Sequence, residues 1–331
     1  MLLRQGQARL ALLLIVLCFF ASIVIILYHI RKSHVQCNCS HAEPGPGLQP
    51  ARPDSEAAKQ SSEHKLCLLV PFRDRFEELL EFAPYISSFL GRQRVKHEIW
   101  VMNQVDGFRF NRAYLINVGF RESSQDCDYI AMHDVDLLPQ NDALQYRYPS
   151  KGPLHISSPE LHPKYDYPTF IGGILLVTRV QYRQLDGMSN KYWGWGLEDD
   201  EFFVRMRQAN LPIERPQGIK SGRKSFKHAH SGRARERRGR DGAKCYNQRN
   251  ATRRRDRQTG LSTTFYTVAA RRSIQVDGST VNFLDIQLEC DRVLTPWCNC
   301  TGAPPDTNPP DRTRDEDVVV PILPRKNKKH E

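Results

Sequence analysis

The stretch Tyr129-Ile130-Ala131-Met132-His133-Asp134-Val135-Asp136 joins a short apolar run to two carboxylates. A run of this length and composition predicts a buried β-strand. Open α/β sheets bind ligands beyond the carboxyl ends of their strands, where Asp134 and Asp136 would lie. Side chains alternate along an extended segment, so both carboxylates can point to the same side. Such a pair suits a hard divalent cation that also binds a diphosphate, although acidic pairs also close many strands that bind nothing.

Similar apolar runs precede this stretch and predict an α/β fold. Residues 66–70, which end at a proline, and residues 99–102 read as strands, and residues 76–90 and 111–120 have helical apolar spacing. Alternating strands and helices predict a parallel sheet with right-handed crossovers. Later segments add predicted strands at 174–177 and 283–286 and a predicted helix at 202–209.

A second motif combines aromatic rings with acids. In Trp193-Gly194-Trp195-Gly196, the glycines allow a sharp turn that would present indole faces to a ligand. The acids at 198–201 follow directly. Acids favour the first turn of a helix, which accounts for their position but not for the Trp-Gly entry.

The third motif is His228-Ala229-His230. Alternate residues of an extended segment face one site, so both imidazoles could bind the same metal ion. A single histidine is more often structural, and the pair gains weight from the carboxylates at 134 and 136.

The amino terminus predicts a membrane anchor. Residues 10–28 are uncharged, and as a helix they would span about 28 Å, close to the thickness of a bilayer core. A cleaved signal peptide is the alternative, but no convincing cleavage site follows. Basic residues flank both ends of the run and do not fix its orientation. Residues 1–9 would form a short tail and residues 29–63 a flexible stem rich in Pro, Gly, Ser and Ala.

Cysteines and glycosylation signals favour an oxidising, lumenal compartment. Among nine cysteines, Cys290 and Cys298 can close a small disulfide loop, with Cys300 competing for the same partner. Asn-x-Ser/Thr sequons occur at Asn38, Asn250 and Asn299.

The net charge of +11 is concentrated in residues 231–258, where eleven basic residues face three acids. Such a segment suits acidic lipid or acidic polysaccharide, or is simply a solvated loop. Nucleic acid is excluded as a partner for a membrane-anchored lumenal chain. The tail at 302–331, rich in Pro and Lys, reads as disordered.

Taken in order, five motifs resemble the β-1,4-galactosyltransferase family over about residues 66–300. The motifs are Pro71-Phe72-Arg73-Asp74-Arg75, Phe110-Asn111-Arg112-Ala113, Asp134-Val135-Asp136, Gly172-Gly173 and Trp193-Gly194-Trp195-Gly196. The continuation of the last motif through residue 201, the His-x-His spacing and Tyr165-Asp166-Tyr167 are similar to the branch of this family that acts on xylose.

The resemblance implies a GT-A fold in residues 64–301, a single-pass type II Golgi membrane protein and Mn²⁺ as cofactor. The implied reaction is inverting transfer of galactose from UDP-galactose to O4 of β-xylose on a xylosylated proteoglycan core protein. Asp199 would be the catalytic base, and the metal ligands would be Asp136, His228 and His230.

Two further residue sets follow from the resemblance. The implied donor-binding residues are Pro71, Phe72, Arg73, Asp74, Arg75, Phe110, Asn111, Arg112, Asp134, Val135, Asp136, Gly173, Trp195 and Glu198. The implied acceptor-binding residues are Tyr165, Tyr167, Trp195, Leu197, Asp199 and Asp200.

The sequence departs from the family pattern at one position, and two alternative functions remain open. Phe170 stands where better-known family members carry Tyr shortly before the Gly-Gly pair, so one hydroxyl near the donor sugar is missing. The alternatives are transfer to N-acetylglucosamine and a non-catalytic lectin that binds acidic glycans through residues 231–258.

Overall fold

A computed structural model describes residues 63–229, 241–307 and 318–319. The strands within this part of the chain are β1 (Lys65–Phe72), β2 (Lys96–Gln104), β3 (Tyr129–His133), β4 (Leu137–Pro139), β5 (Leu154–His155), β6 (Ile174–Thr178), β7 (Phe226–His228), β8 (Tyr266–Val276) and β9 (Ser279–Leu288). Seven of them form one sheet in the order β5-β6-β3-β1-β2-β9-β8, while β4 and β7 pair separately.

The centre of the sheet is parallel. Strands β3, β1, β2 and β9 run parallel to one another, and β6, β5 and β8 are antiparallel to their neighbours. The prediction of a parallel sheet from the first three strands is confirmed. Strands β1 and β3 are buried along almost their whole length, and their sequences are accordingly almost continuously apolar.

The described helices are α1 (Phe76–Arg92), α2 (Arg112–Glu122), α3 (Arg179–Gln184), α4 (Glu198–Gln208) and α5 (Gln248–Ala251). Helix α1 accommodates Pro84 within its length. Helix α2 begins at Asn111, whose side chain accepts a hydrogen bond from the backbone N–H of Tyr114, as N-cap residues do. Helix α4 carries four acids in its first turn, as predicted.

Two apolar cores lie against the sheet, and β1 contributes to both. Leu66, Leu68 and Val70 pack in one core, while Cys67 and Leu69 pack in the other. This division follows from the alternation of side chains along a strand. The two cores fix the carboxyl ends of β1 and β3, from which the candidate site is built.

Strand β8 was not predicted. It lies at the sheet edge and is mostly half-buried or exposed, so its sequence lacks a continuous apolar run. A turn joins it to β9 through Asp277 and Gly278, both with positive φ (44° and 78°), which is the geometry that tight hairpins require.

Disulfides join Cys67 to Cys127, Cys245 to Cys300, and Cys290 to Cys298. The predicted pair Cys290–Cys298 is confirmed. Cys300, the competing candidate, is instead held by Cys245 across a long stretch of sequence.

Ordered structure continues beyond residue 301. Asp306 is buried and accepts a hydrogen bond of 2.7 Å from the backbone N–H of Arg249, and Val319 is also buried. The described residues of the predicted disordered tail thus pair with segments on both sides of α5.

Several sequence predictions concern residues outside the described part. These are the membrane anchor at 10–28, the stem up to residue 62, the sequon at Asn38, and His230. Asn250 is half-buried in α5, and Asn299 is exposed. Among the described residues, no helix combines the length and apolarity needed to cross a membrane.

Candidate active site

A two-stranded ribbon brings the first two metal-ligand candidates together. Strand β4 follows Asp136 directly and pairs with β7, so that Leu137 lies opposite His228. The backbone N–H of Ala229 donates to the carbonyl of Asp136 at 2.8 Å. The Oδ2 atom of Asp136 lies 3.7 Å from Nε2 of His228. Asp136 and His228 are 92 residues apart in the sequence, and the fold thus makes them neighbours.

Asp136 and His228 can supply two of the ligands of a Mn²⁺ ion. Carboxylate oxygen is a preferred ligand of Mn²⁺, and an imidazole nitrogen is an additional ligand. Octahedral coordination at about 2.1 Å places neighbouring ligand atoms about 3 Å apart, so these two atoms need only a small approach. His230 would be the third ligand and lies outside the described residues.

One other group of metal-type ligands lies in the described part of the chain, formed by Cys67, Glu98 and Cys127. The two sulfur atoms form a disulfide and are not available as thiolates. The ribbon of β4 and β7 is therefore the better metal site.

Each strand-end carboxylate has an arginine partner. Arg75 donates to Oδ2 of Asp136 at 2.6 Å, and Arg112 donates through Nε to Oδ1 of Asp134 at 2.7 Å. Arg112 stands at the first position of α2. The two guanidinium groups create a positive environment suited to a diphosphate.

The remaining residues of the first donor motif shape the wall beside this site. Pro71 and Phe72 end β1 and are buried, and Phe72 packs against Phe76 and Phe283. Asp74 is exposed, with φ of 52°.

Arg73 is buried, and its guanidinium donates to the carbonyls of Gln104, Asp106 and Phe108. Its Cζ lies 5.8 Å from the ring centroid of Phe110. The geometry of Arg73 shapes the 104–110 loop, and its direct contact with a donor stays a prediction.

Asn111 and Val135 are likewise buried. Besides capping α2, Asn111 donates to the carbonyl of Asn190 at 2.9 Å, so its amide connects two loops of the site. Val135 is buried in the apolar core between the two aspartates. Donor contacts by these two residues also stay predictions.

The acids at the start of α4 form the second half of the site. Burial raises the pKa of Asp199 to about 7, assisted by the charge of Asp200 and opposed by that of Arg112. Burial together with repulsion from Asp199 raises the pKa of Glu198 to about 7. Burial also raises the pKa of Asp200 to about 6, although a hydrogen bond from Tyr167 opposes it. A carboxylate with a pKa near neutrality is suited to general base catalysis.

The fourth acid has a different role. Glu201 is buried, and both of its carboxylate oxygens accept from Nε of Arg205, each at 2.9 Å. The guanidinium of Arg205 also donates to backbone carbonyls of the 185–187 and 256–259 segments. Glu201 therefore anchors α4 and leaves the chemistry to the three acids before it.

One carboxylate oxygen of Glu198 is a candidate ligand-binding atom. Its Oε2 atom is inaccessible to solvent and has no hydrogen-bond partner among the described residues. Buried polar atoms are nearly always hydrogen-bonded in folded proteins. This oxygen could accept a hydrogen bond from a hydroxyl group of a bound sugar.

The glycine pair Gly172-Gly173 lies between the two groups of carboxylates. The carbonyl of Gly173 accepts from the backbone N–H of Asp134 at 3.1 Å. A Cβ atom at Gly172 would lie 2.5 Å from Oδ2 of Asp199. A larger residue at this position would displace the side chains of Asp199 and Phe170.

The two tryptophans of the second motif have different environments. Trp193 is buried against Phe108 and Tyr114, whereas Trp195 is 65% exposed. The turn between them passes so close to Arg109 that a Cβ at Gly194 would overlap its guanidinium. Only Trp195 is free to offer its indole face to a ligand.

Pairwise contacts link several of the predicted acceptor residues. Nζ of Lys164 lies 4.7 Å from the ring centroid of Tyr165 and 5.7 Å from that of Trp195. These two rings therefore border the same space. Tyr167 donates to Asp200, and its pKa is raised by burial and by the charges of Asp199 and Asp200. Leu197, with φ of 74°, caps the start of α4 beside them.

Two residues that support the site were not predicted. Arg109 is buried and donates to Gln248, to the carbonyl of Trp297 and to carbonyls of the 241–243 segment. His162 is buried against Tyr165 and Phe170. Neither belongs to a local pattern, so nothing in the sequence singled them out.

Comparison with known proteins agrees with this geometry. A family model described as the N-terminal region of glycosyl transferase group 7 matches residues 33–149. Another, described as the N-terminal domain of galactosyltransferase, matches residues 152–229.

Individual relatives match most of the chain. Beta-1,4-galactosyltransferase 7 of Drosophila melanogaster is 56% identical over 262 residues, which are 78% of this chain and 79% of the relative. Xylosylprotein 4-beta-galactosyltransferase of Caenorhabditis elegans is 46% identical over 245 residues, covering 72% of this chain and 83% of the relative.

A crystal structure of a mutant of the Drosophila enzyme, in complex with manganese, UDP-Gal and xylobiose, has a TM-score of 0.69 to this chain. It is 58% identical and covers 72% of this chain and 99% of that chain. The likeness supports the GT-A-like fold with its mixed, mostly parallel sheet. At this identity and coverage, the chain belongs to the β-1,4-galactosyltransferase family.

Proposed function

We propose that this chain transfers galactose from UDP-galactose to O4 of β-xylose on a proteoglycan core protein, with inversion and in the presence of Mn²⁺. The observation that carries the proposal is the meeting of two carboxylate groups across Gly172-Gly173. One group has the ligands for a metal, and the other contains a carboxylate with a pKa near 7.

The strand-end group would bind the donor. Asp136, His228 and His230 would hold Mn²⁺, and the bound ion would supply positive charge to offset that of the leaving diphosphate. Arg75 and Arg112 lie where they can bind phosphate oxygens, since each already binds a carboxylate of this group. The unpartnered oxygen of Glu198 would accept a hydrogen bond from a hydroxyl of the galactose.

The helix-start group would activate the acceptor. Asp199 takes the proton from the O4 hydroxyl of xylose, and that oxygen forms a bond to C1 of galactose. The bond between C1 and the diphosphate oxygen breaks on the opposite face, and its electron pair leaves with UDP. An attack from the opposite face converts the α-linked donor into a β-linked product.

The aromatic wall would select the acceptor. Tyr165 and Trp195 border the same space, and the Tyr167 hydroxyl is bonded to Asp200. Xylose lacks both the hydroxymethyl group and the N-acetyl group of N-acetylglucosamine, so a narrower polar site can accept it. Sites with buried polar groups discriminate strongly, because a wrong ligand leaves these groups unpaired.

The compartment is part of the proposal. Three disulfides in the described domain support an oxidising environment. Together with the apolar run at residues 10–28, they favour a type II membrane protein with its catalytic domain in the Golgi lumen.

An acceptor panel tests the proposed function. UDP release is measured with UDP-galactose and Mn²⁺, without acceptor, with a β-xyloside, and with a β-N-acetylglucosaminide. We expect the xyloside to stimulate release most. Equal stimulation by both sugars would contradict the choice of acceptor, and no release under any condition would favour a lectin.

The variant Tyr167→Ala refines this test. Removing the ring and the hydroxyl opens the wall and breaks the bond to Asp200, so we expect transfer to xyloside to be lost. Donor hydrolysis without acceptor should persist, because the strand-end group is unchanged. Loss of both activities would place Tyr167 in the donor site instead.

A further inference from the structure

His162 is a buried histidine that the proposed reaction does not use. It lies in the loop between β5 and β6 and is 4% exposed. The backbone N–H groups of Lys164 and Tyr165 both donate to its Nδ1 atom, at 3.1 Å and 2.9 Å. A ring nitrogen that accepts hydrogen bonds carries no hydrogen, so the neutral ring holds its proton on Nε2.

This arrangement closes a turn with a side chain. Asn and Asp side chains commonly accept N–H groups two or three residues later and thereby fix a turn. In the same way, Nδ1 of His162 holds the backbone of Lys164 and Tyr165. The backbone N–H of His162 is itself bound to the carbonyl of Ser158 at 2.8 Å. The conformation of the Tyr165 backbone is therefore set by one imidazole nitrogen.

The ring of His162 adds a second connection. It is stacked on Tyr165, with centroids 5.2 Å apart, and meets Phe170 edge-on at 4.9 Å. It also meets the ring of His228 edge-on at 6.1 Å. A single side chain thus contacts an acceptor residue and a metal-ligand candidate.

We propose that His162 is a positioning residue that shapes the acceptor wall through Nδ1 and couples it to His228 through its ring. This inference rests on the proposed transfer to xylose and names a residue that sets the geometry of that site. The two roles use different parts of the side chain, so substitutions can separate them.

Two variants make the separation. His162→Phe keeps an aromatic ring but leaves the N–H groups of Lys164 and Tyr165 without this acceptor. We expect the KM for a β-xyloside to rise by about tenfold, as buried unpaired N–H groups imply. UDP-galactose hydrolysis without acceptor should stay within about twofold of the wild type, because Nδ1 makes no contact with the strand-end group.

For His162→Asn we expect the opposite pattern of effects on acceptor use and Mn²⁺ dependence. Its Oδ1 atom can accept the same two N–H groups, whereas the contact with His228 is lost. We expect the KM for xyloside to rise by less than about threefold and the Mn²⁺ concentration for half-maximal activity to rise by a similar factor. His162→Phe should leave that Mn²⁺ concentration unchanged.

Glu160→Gln, an exposed substitution in the same loop, serves as the control, and thermal unfolding verifies that each variant is folded. A wild-type KM in His162→Phe would overturn the proposal, as would equal losses of transfer and hydrolysis. If His162→Phe does not fold, a His162→Asn variant with normal Mn²⁺ dependence would overturn the coupling. Failure of the wild type to use xyloside would refute the proposed function itself and is seen before any variant is compared.

Discussion

The strand-end carboxylates and the helix-start carboxylates lie on opposite sides of Gly172-Gly173 and are treated differently by the fold. Asp134 and Asp136 each form a hydrogen-bonded ion pair with an arginine. Glu198 and Asp199 feel Arg112 at longer range, Asp199 accepts the backbone N–H of Asp200, and burial outweighs both effects and raises the pKa of each acid to about 7. The same functional group is thus prepared for binding cations in one place and for taking a proton in the other.

The difference originates in secondary structure. The strand-end pair follows β3 and is neutralised by Arg112, the first residue of α2, and by Arg75. The helix-start acids are instead held by the tight Trp-Gly turn, where burial and mutual repulsion dominate. All four groups are carboxylates, so their different roles in metal binding and proton transfer come from the surrounding charges and from burial.

The largest expected effect is that of Asp136→Asn. An amide is a neutral and weaker ligand for a hard cation, so we expect Mn²⁺-dependent transfer to fall by more than about 10³-fold. Transfer rates over a range of Mn²⁺ concentrations measure this loss. Asp142→Asn, at an exposed ion pair with Arg92, is the matched control and should behave like the wild type. Near-normal activity of Asp136→Asn at low Mn²⁺ would remove Asp136 from the metal site.

Asp199→Asn tests the role of the helix-start carboxylates. Loss of a general base should lower kcat by about 10²–10⁴-fold. UDP affinity, measured by calorimetry, should change little, because the diphosphate is bound by the strand-end group. A parallel fall in UDP affinity and turnover would make Asp199 a donor-binding residue.

Gly194→Ala probes the turn that holds the helix-start group. A Cβ there would overlap the guanidinium of Arg109, would lie 2.5 Å from the backbone carbonyl oxygen of Asp241, and would occupy a backbone conformation with φ of 79°. We expect the free energy of unfolding to fall by about 2–4 kcal/mol, measured by denaturant titration.

Gly196→Ala is the matched control for this turn, because Gly196 also has a positive φ, 104°, but no non-neighbouring atom of the described residues lies within 4 Å of the added Cβ. Its loss should be about 1 kcal/mol, from backbone strain alone. Equal losses in the two variants would show that crowding by Arg109 is unimportant.

The smallest expected effect is on the pH dependence of stability. The pKa of Asp199 is raised from 3.8 to about 7, so the folded protein binds this proton more tightly than the unfolded chain. The resulting stabilisation is fully present below about pH 4 and is lost as the pH rises through about 7.

Between these values, the Tm of the wild type should fall relative to that of Asp199→Asn, by a few degrees at pH 8. Transfer activity should show the opposite trend and decline as the pH falls through about 7, since the base must be ionised. Parallel Tm curves for the two proteins would contradict the raised pKa.

Sequence patterns predicted the elements that are buried on both faces. Strands β1, β2 and β3 and helix α2 carry apolar runs or periodicity, and the structure contains each of them. Strand β8 escaped prediction because an edge strand exposes much of its surface. The pairing of Cys300 with Cys245 also escaped, because it depends on how distant segments fold together.

The candidate site was predictable only where residues form local motifs. Asp136 and His228 were predicted as partners from two patterns, and the structure places them 3.7 Å apart. The partners of Arg109 lie at residues 248 and 297, so its role depends on tertiary contacts that no local pattern records. The raised pKa of Asp199 is likewise a product of burial, which the sequence does not state.

The most direct test of the division between the two carboxylate groups is Mn²⁺ binding, measured by electron paramagnetic resonance in the presence of UDP. Wild type, Asp136→Asn and Asp199→Asn are compared at one pH. We expect Asp199→Asn to bind Mn²⁺ within about twofold of the wild type and Asp136→Asn to lose about 100-fold in affinity. Equal affinities in the two variants, or weaker binding by Asp199→Asn, would contradict the assignment of the metal to the strand-end group.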